Sequence, residues 1–324
     1  MRSPLTSKLW HIPDTPFCIR VNESSKSNLS EYLNTLLFVE KKEIQEKDNY
    51  PTIDVTWGYD VSSHQSSEPQ QIIENEAGQK IFTADGSVQI NTNSIDTQIH
   101  ISNRSLDEPI ALGIAIFRSL LLQNGLWSHA LAFKHKKQAI IAIGSSGSGK
   151  STLAAALIAD SGKILSDDSI VLHKTSKKIQ AVSLRGFLRF RSPTQKILPE
   201  SVQAKLHPSS IIKSWLLDSH DLHEKSIKNM IPKTIWILNS EQARPQQSVI
   251  EPISHADALS LWIDNSIPLF FHSHWGLEKN IIFKVLLDLL QQCEIKKVTI
   301  GKQLLSNPGK ELSFLLNQQT KFKA

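Results

Sequence analysis

The chain has 324 residues and a formal net charge of +5; 40% of its residues are hydrophobic and 21% are charged. This length suits two domains, and the composition excludes global disorder. The chain contains no nucleic-acid-binding motif, and no apolar run approaches the roughly 20 residues of a membrane helix. We therefore expect neither a nucleic acid nor a membrane as a partner. Cys18 and Cys293 are the only cysteines. They lie too far apart in the sequence for the paired spacing of a zinc or redox site, which fits a reducing compartment. Because the N-terminus also lacks the apolar core of a signal peptide, we expect a cytoplasmic protein.

Residues 1–104 are predicted to form a small β-rich domain, followed by a second domain over residues 105–324. Asp85-Gly86 is typical of a two-residue hairpin turn, and residues 62–71 are rich in Ser, Gln and Pro, which indicates an exposed loop. Short β-type stretches recur through the first domain, at residues 17–21, 52–57, 80–83, 87–90 and 97–101. No cluster of catalytic or metal-binding residue types stands out here.

Two helices are predicted from helix-start signals and from apolar spacing. The first begins at Asp107-Glu108-Pro109 and runs to about Leu122, because acidic residues and proline favour the first turn of a helix. The second is indicated by apolar residues at helical spacing, which we interpret as core packing rather than a cofactor site. These residues are Ile281, Ile282, Val285, Leu286, Leu289 and Leu290.

A complete phosphate-binding motif of the form G-x-x-x-x-G-K-[ST] lies between a predicted strand and a predicted helix. The strand is the apolar stretch 138–143, and the helix is the alanine-rich stretch 152–159, which Gly162 would end. The alternative is a chance match within a turn. The motif and the residue after it read Gly144-Ser145-Ser146-Gly147-Ser148-Gly149-Lys150-Ser151-Thr152.

This loop predicts a site for a nucleoside triphosphate with Mg²⁺. Backbone N–H groups at the start of the helix attract phosphate, as does the helix dipole. Lys150 would place a charge between the β- and γ-phosphates, and the Ser151 hydroxyl would hold Mg²⁺. We therefore expect ATP and Mg²⁺ as the cofactors.

Two adjacent carboxylates, Asp167 and Asp168, interrupt an apolar stretch behind the loop. Because neighbouring strand residues point to opposite faces, only one of them could face the loop unless the strand bulges or ends there. Buried carboxylates need a cation or hydrogen bonds, which favours a metal or a reacting hydroxyl nearby; the alternative is an exposed turn between two short strands. The best later strand, Thr234–Asn239, ends in Asn, so the acidic pair must supply both metal and base sites.

His129-Ala130, the loop from Gly144 to Thr152, and Ser166-Asp167-Asp168 together resemble the core of the HPr kinase/phosphorylase superfamily. The resemblance covers residues 125–175 strongly and the rest in general layout. It implies an α/β fold: a P-loop domain similar to HPr kinase and to the nucleotide-binding half of phosphoenolpyruvate carboxykinase, preceded by the smaller β-rich domain.

The resemblance also implies roles for single residues. Asp167 is the expected base that accepts the proton of a serine hydroxyl, and Asp168 the expected metal ligand or neighbour of the metal, although these two roles could be exchanged. His129 would orient or neutralise the acidic cluster beside the γ-phosphate. Lys150 and Ser151 would hold phosphate and Mg²⁺. Bifunctional relatives carry Arg-Gly-Leu-Gly downstream, of which this chain keeps Arg185-Gly186, so the reverse, dephosphorylating activity stays open.

The expected function is an ATP-dependent kinase acting on a serine-type hydroxyl of a protein or peptide, for which a ribosomal peptide precursor is a candidate. A small-molecule hydroxyl kinase and an ATP-sensing regulator are the alternatives. Arg185, Arg189 and Arg191 form either a basic face over the phosphates or a solvated strand face, and we prefer the solvated face. The sequence leaves the oligomeric state open, including a homo-oligomer.

Overall fold

The structure is a computed structural model that describes residues 6–13, 15–23, 33, 36, 39–41, 50–57, 71–75, 78–83, 86–91, 96–101, 110–160, 162–176, 178–192, 194–209, 214–240, 244–266 and 278–321. It is a mixed α/β structure with several sheets. The chain divides into two compact units. The first comprises residues 1–126 and 270–282, and the second comprises residues 127–269 and 283–324.

The first unit contains an eight-stranded sheet in the order β3-β1-β2-β4-β8-β7-β6-β5. The β2–β4 and β4–β8 pairs are parallel, and the other pairs are antiparallel. Alternation is clear in β4, where Ile53 and Val55 are buried between half-buried Thr52 and Asp54, as expected for a strand with one face on the core. The strands are β1 Thr6–His11, β2 Cys18–Glu23, β3 Val39–Lys41, β4 Thr52–Trp57, β5 Gln71–Asn75, β6 Gly78–Thr83, β7 Gly86–Asn91 and β8 Thr97–Ile101.

Each predicted strand of the N-terminal region is present, with boundaries that differ by up to two residues. Gly86 pairs with Thr83 as the first residue of β7, so Gly86 belongs to the strand rather than to the turn, and Asp85 lies outside the described residues. Of the predicted loop 62–71, Gln71 begins β5, and residues 62–70 lie outside the described residues.

Helix α1, Ile110–Leu122, packs against β7 and β8 within the first unit. Its end agrees with the prediction, whereas its expected start at residues 107–109 lies outside the described residues. The buried guanidinium of Arg118 donates hydrogen bonds to the carbonyl oxygen of Asp96 and to the hydroxyl of Thr97, at 3.1 and 3.0 Å. The predicted boundary after residue 104 stays a prediction.

The second unit is built on a six-stranded mixed sheet in the order β12-β10-β11-β19-β21-β20. Its central strands β11, β19 and β21 are parallel, and the neighbours on either side are antiparallel. Both β11 and β19 are almost entirely buried, as expected for parallel strands covered on two faces. The six strands are β10 Leu131–His135, β11 Gln138–Ile143, β12 Lys163–Ser166, β19 Thr234–Asn239, β20 Val249–Pro252 and β21 Glu294–Thr299; β9 Gly125–Ser128 precedes them and belongs to a smaller sheet.

Two smaller sheets complete the strands of the structure. The first has the order β18-β14-β13-β9, and the second has the order β15-β17-β16. Their further strands are β13 Ile170–Thr175, β14 Lys178–Ser183, β15 Phe187–Phe190, β16 His207–Ser209, β17 Ser214–Asp218 and β18 Asn229–Met230. Strand β15 forms one edge of its sheet, and β17 pairs with its other side.

Helix α2, Lys150–Ala159, is the central helix of the second unit. Its alanine-rich face lets it pack closely against β10, β12 and β15, and all residues from Leu153 to Ile158 are buried. The same core contains Phe133 and Trp236, whose rings meet edge to face at 5.7 Å. Gly162 lies just beyond the end of α2, where its N–H donates to the carbonyl of Leu157, in agreement with the predicted helix stop.

The remaining helices belong to this unit, except that residues 278–282 of helix α5 are part of the first unit. The predicted apolar stripe lies on α5, where Ile282, Val285, Leu286, Leu289 and Leu290 are buried, so the core-packing interpretation is confirmed. Among the described helices, none is both long and apolar enough to span a membrane. The helices are α3 Glu200–Gln203, α4 His255–Ser266, α5 Glu278–Gln292, α6 Gln303–Ser306 and α7 Pro308–Lys321, with 3₁₀ turns at Thr194–Ile197 and Ser219–Lys225.

Candidate active site

The phosphate-binding motif forms the connection between the carboxyl end of β11 and the start of α2. Gly147 and Gly149 have φ angles of 83° and 108°, which glycine adopts readily and other residues avoid. Left-handed residues on either side of Ser148 curve the backbone so that successive N–H groups converge, which is the geometry of an anion site. Gly144 is required for a different reason: a Cβ there would lie 2.6 Å from the carbonyl oxygen of Leu238.

The ammonium group of Lys150 folds back onto the loop. It donates hydrogen bonds to the carbonyl oxygens of Gly144 and Ser145. Burial lowers the pKa of Lys150 to about 8, although the neighbouring charges of Asp168 and Asp167 act to raise it. Lys150 is therefore a cation near neutral pH, held by carbonyl groups that a bound phosphate could replace.

The acidic pair lies where the chain leaves one sheet and enters another. Strand β12 ends at Ser166, residues 167–169 form a bend, and β13 begins at Ile170 in a different sheet. The hydroxyl of Ser166 accepts a hydrogen bond from the N–H of Ser169 at 3.0 Å, which holds the bend. Because the strand ends here, both carboxylates reach the same pocket. The expected turn between two strands is present, but the pair is not exposed: the side chain of Asp168 is 17% exposed and Asp167 is 4% exposed.

Asp168 binds two basic side chains, one with each carboxylate oxygen. Nδ1 of His129 lies 2.6 Å from Oδ1, and Nη1 of Arg185 lies 2.7 Å from Oδ2. Burial alone would raise the pKa of Asp168, but the hydrogen bond from His129 and the positive charges of Arg185 and Arg189 hold it well below its usual range. The N–H of Ala130 also donates to the carbonyl of Asp168, which keeps His129 beside the pair. Asp168 is thus ionised and fixed in place.

Asp167 has the opposite character. Its Oδ2 accepts a hydrogen bond from the backbone N–H of Arg189 at 2.8 Å, while its buried Oδ1 has no partner among the described residues. Burial, followed by the neighbouring charge of Asp168, raises the pKa of Asp167 to about 7. A carboxylate with this pKa and one vacant oxygen is suited to exchange a proton with a group in the pocket.

These residues line one pocket of about 400 Å³. The structure brings together most of the residues that the sequence predicts for the site; Gly144 is not part of the lining. The predicted residues on the wall are His129, Ser145, Ser146, Gly147, Ser148, Gly149, Lys150, Ser151, Thr152, Asp167 and Asp168. Arg189, Arg191, Thr194 and Arg244 complete the lining.

The preference for a solvated arginine face is wrong for Arg185, which is 9% exposed and pairs with Asp168. Arg189 is half-buried and Arg191 is exposed, and both line the pocket. Sequence reasoning also missed Arg244, whose guanidinium donates to the carbonyl of Gly147. The sequence signal for the arginines of Leu184–Arg191 was their partial alternation with apolar residues, since a spacing of two places strand side chains on one face.

The oxygen donors of the pocket determine where Mg²⁺ would fit. The hydroxyl of Ser151 lines the pocket beside the loop, and hydroxyl and phosphate oxygens are ligands that Mg²⁺ accepts while it keeps several waters. Both oxygens of Asp168 already bind cationic groups. Within the described residues, no group of three or more His, Cys, Asp or Glu is arranged to hold a metal. The arrangement therefore favours Ser151 as the protein ligand and Asp168 as a neighbour of the metal.

No protein-family model matches the chain, and no curated protein matches it at a significant level. A solved structure, the HPr(Ser) kinase/phosphatase from Coxiella burnetii, is similar with 13% sequence identity and a TM-score of 0.32. The match covers 61% of this chain and 99% of that chain. At this similarity, the function is argued from the pocket itself.

Proposed function

We propose that this chain is an ATP-dependent kinase that transfers the γ-phosphate to a serine-type hydroxyl of a protein or peptide. It would be a phosphotransferase with an alcohol acceptor, related in chemistry to the HPr kinases that its motifs resemble. The observation that carries the proposal is the vacant Oδ1 of Asp167 in the same pocket as the phosphate loop. Nucleotide sensing alone gives no reason for such a carboxylate, and the assay below separates transfer to a hydroxyl from transfer to water.

The loop and its lysine account for the donor side of the reaction. The converging N–H groups between Gly147 and Gly149 would bind the β-phosphate, and the ammonium of Lys150 would move from the carbonyls of Gly144 and Ser145 to the β- and γ-phosphates. Arg244 already lies at the loop, on the carbonyl of Gly147. Phosphoryl transfer depends mainly on positioning and on charge stabilisation, and these groups supply both.

The acidic pair accounts for the acceptor side. The hydroxyl oxygen forms a bond to the γ-phosphorus, the bond from phosphorus to the bridging β,γ-oxygen breaks, and ADP leaves. The hydroxyl proton passes to Oδ1 of Asp167, whose pKa of about 7 lets it accept that proton near neutral pH. Asp168 stays ionised between His129 and Arg185 and positions His129 beside the reacting groups.

Mg²⁺ would be held by the hydroxyl of Ser151 together with phosphate oxygens of ATP and water. When bound, it supplies positive charge that offsets the charge developing on the phosphate oxygens. An alternative assignment gives Asp168 to the metal and requires Asp168 to release His129 or Arg185.

A phosphotransfer assay tests the proposal. The full chain is incubated with Mg²⁺, γ-labelled ATP and candidate polypeptides, namely the products of genes adjacent to its own. We expect label on a polypeptide in a form stable to acid, as a phosphoester of serine is. Label found only as free phosphate would contradict the kinase proposal, and label found on a small metabolite would favour a small-molecule kinase.

Two variants make this assay specific. Lys150→Ala should lower the rate of labelling by on the order of 10²–10³ through loss of the charge on the phosphates. Asp264→Asn is the matched control, because Asp264 lies exposed on α4 outside the pocket lining and should label as the wild type does. Equal labelling by wild type and Lys150→Ala would exclude the loop from the reaction.

A further inference from the structure

The walls of the pocket carry more positive charge than its carboxylates balance. Among the described residues, the lining contains two aspartates and four Lys or Arg side chains, which are Lys150, Arg189, Arg191 and Arg244. One of these aspartates, Asp168, is already paired with Arg185, which lies outside the lining. The pocket is therefore basic around the base as well as around the phosphate loop.

Strand β15 and the residue that follows it place two of these arginines in the pocket with Asp167. Leu188 and Phe190 of this strand are buried in the core at 2% and 0% exposure. Since side chains alternate along a strand, Arg189 projects from the opposite face. Arg191 directly follows the last residue of β15, and both arginines line the pocket. The backbone N–H of Arg189 donates to Oδ2 of Asp167, so this segment lies beside the expected base.

The two arginines differ in their contacts, since the positive charge of Arg189 already acts on Asp168 and Arg191 stands apart from the carboxylates. The phosphates of ATP have the loop amides and Lys150, and Arg244 lies at the loop. Arg191 is exposed, and in the part of the chain that the structure describes no side-chain hydrogen bond or ion pair of Arg191 is found. An arginine presents a planar fork that matches a carboxylate. The geometry thus leaves a cationic group facing the acceptor side of the pocket.

We propose that the acceptor is an acidic peptide segment, in which a carboxylate side chain within about two residues of the reacting serine binds Arg191, next to Arg189. This inference rests on the proposed kinase function and specifies its substrate. An extended segment with serine at Asp167 carries its second neighbour about 7 Å away. An acidic side chain there would pair with Arg191 on the pocket wall and fix the register of the serine against the base.

A direct binding measurement tests the inference on the full chain saturated with Mg²⁺ and a non-hydrolysable ATP analogue. Two synthetic peptides of equal length carry one central serine; the first has aspartate at the flanking positions, and the second has asparagine there. Fluorescence anisotropy at physiological salt gives both dissociation constants. A hydrogen-bonded charge pair predicts about tenfold tighter binding of the aspartate peptide.

Variants assign that preference to Arg191. Arg191→Ala should bring the two peptides to nearly equal affinity while the affinity for the ATP analogue is unchanged, and Arg191→Lys should restore part of the preference because the charge returns without the fork. Lys178→Ala removes one exposed charge outside the pocket lining and should keep the full preference.

Three results would overturn the inference: equal binding of both peptides by the wild type, no binding of either peptide, or an Arg191→Ala variant that loses affinity for the ATP analogue instead. The last result would assign Arg191 to the nucleotide. Failure of the kinase proposal is distinguishable, because a chain that does not bind the ATP analogue, or that releases label only as free phosphate, fails before any peptide is compared.

Discussion

Replacement of Asp167 by asparagine should make the protein more stable than the wild type at alkaline pH, with an advantage that shrinks as the pH falls. Burial and the charge of Asp168 raise the pKa of Asp167 from 3.8 to about 7 in the folded chain. Between these values the folded chain holds a proton that the unfolded chain has lost, so stability falls as the pH rises. The asparagine side chain carries no charge at any pH and would escape this loss.

The magnitude follows from the two pKa values. A difference of about 3 pKa units at 1.36 kcal/mol per unit gives an upper bound of about 4 kcal/mol above pH 7. The bound falls towards zero near pH 4, where the carboxyl group is protonated in both states. Asparagine keeps an oxygen that accepts the hydrogen bond from the N–H of Arg189, so the substitution leaves the contact to β15 in place.

Denaturant titrations of the wild type and of Asp167→Asn measure this difference in unfolding free energy. They are carried out at several pH values between about 5 and 8. We expect the gap in unfolding free energy to widen in favour of the variant as the pH rises. The reasoning is refuted if the gap is independent of pH, or if the variant is the less stable protein above pH 7. Asp264→Asn, on the exposed face of α4, is the control for replacement of an aspartate outside the pocket.

Three further results are expected. Lys150→Ala should lower the rate of transfer by on the order of 10²–10³, the usual loss for one electrostatic group of about 3–4 kcal/mol, as measured by kcat; a normal kcat would contradict it. The pH profile of kcat/KM should rise through about 7 as Asp167 loses its proton and fall above about 8 as Lys150 loses its charge; a flat profile from pH 6 to 9 would exclude both groups. Gly301→Ala should destabilise the protein by about 1–3 kcal/mol, because a Cβ there would lie 2.4 Å from the backbone N of Ser248. Its control, Gly113→Ala, meets no atom within 4 Å and should unfold no more easily than the wild type.

The phosphate loop and its flanking elements could be predicted from the sequence because their signals are local. The apolar strand, the glycines and the alanine-rich helix follow one another along the chain, and each depends on its own residues. The apolar stripe of α5 was readable for the same reason. The roles of the loop residues stay predictions.

The sequence locates the acidic pair but leaves its geometry open, because alternation allows both carboxylates to face the loop only if the strand bulges or ends there. Strand β12 does end there: β12 and β13 belong to different sheets, and the bend after Ser166 turns both carboxylates to the pocket. Which sheet a short strand joins is decided by tertiary packing. The burial of Arg185 could not be predicted either, because its partner Asp168 is brought to it by the fold.

Arg244 had no local signal at all. Its loop is held by backbone hydrogen bonds from Lys302 to Pro245 and from Gln303 to Gln246. These contacts join segments more than fifty residues apart in the sequence. Residues that reach a site in this way are found only when the fold is known.

The central claim is that Asp167 accepts the hydroxyl proton while ATP is held by the phosphate loop. It is tested most directly by comparing Asp167→Asn with the wild type in two measurements on the same samples: calorimetric binding of Mg²⁺ and the ATP analogue, and transfer of labelled phosphate to an acceptor polypeptide. We predict that nucleotide affinity survives while the transfer rate falls by roughly 10²–10⁴-fold. Transfer at the wild-type rate, or a loss of transfer that merely follows a loss of nucleotide affinity, would contradict the claim.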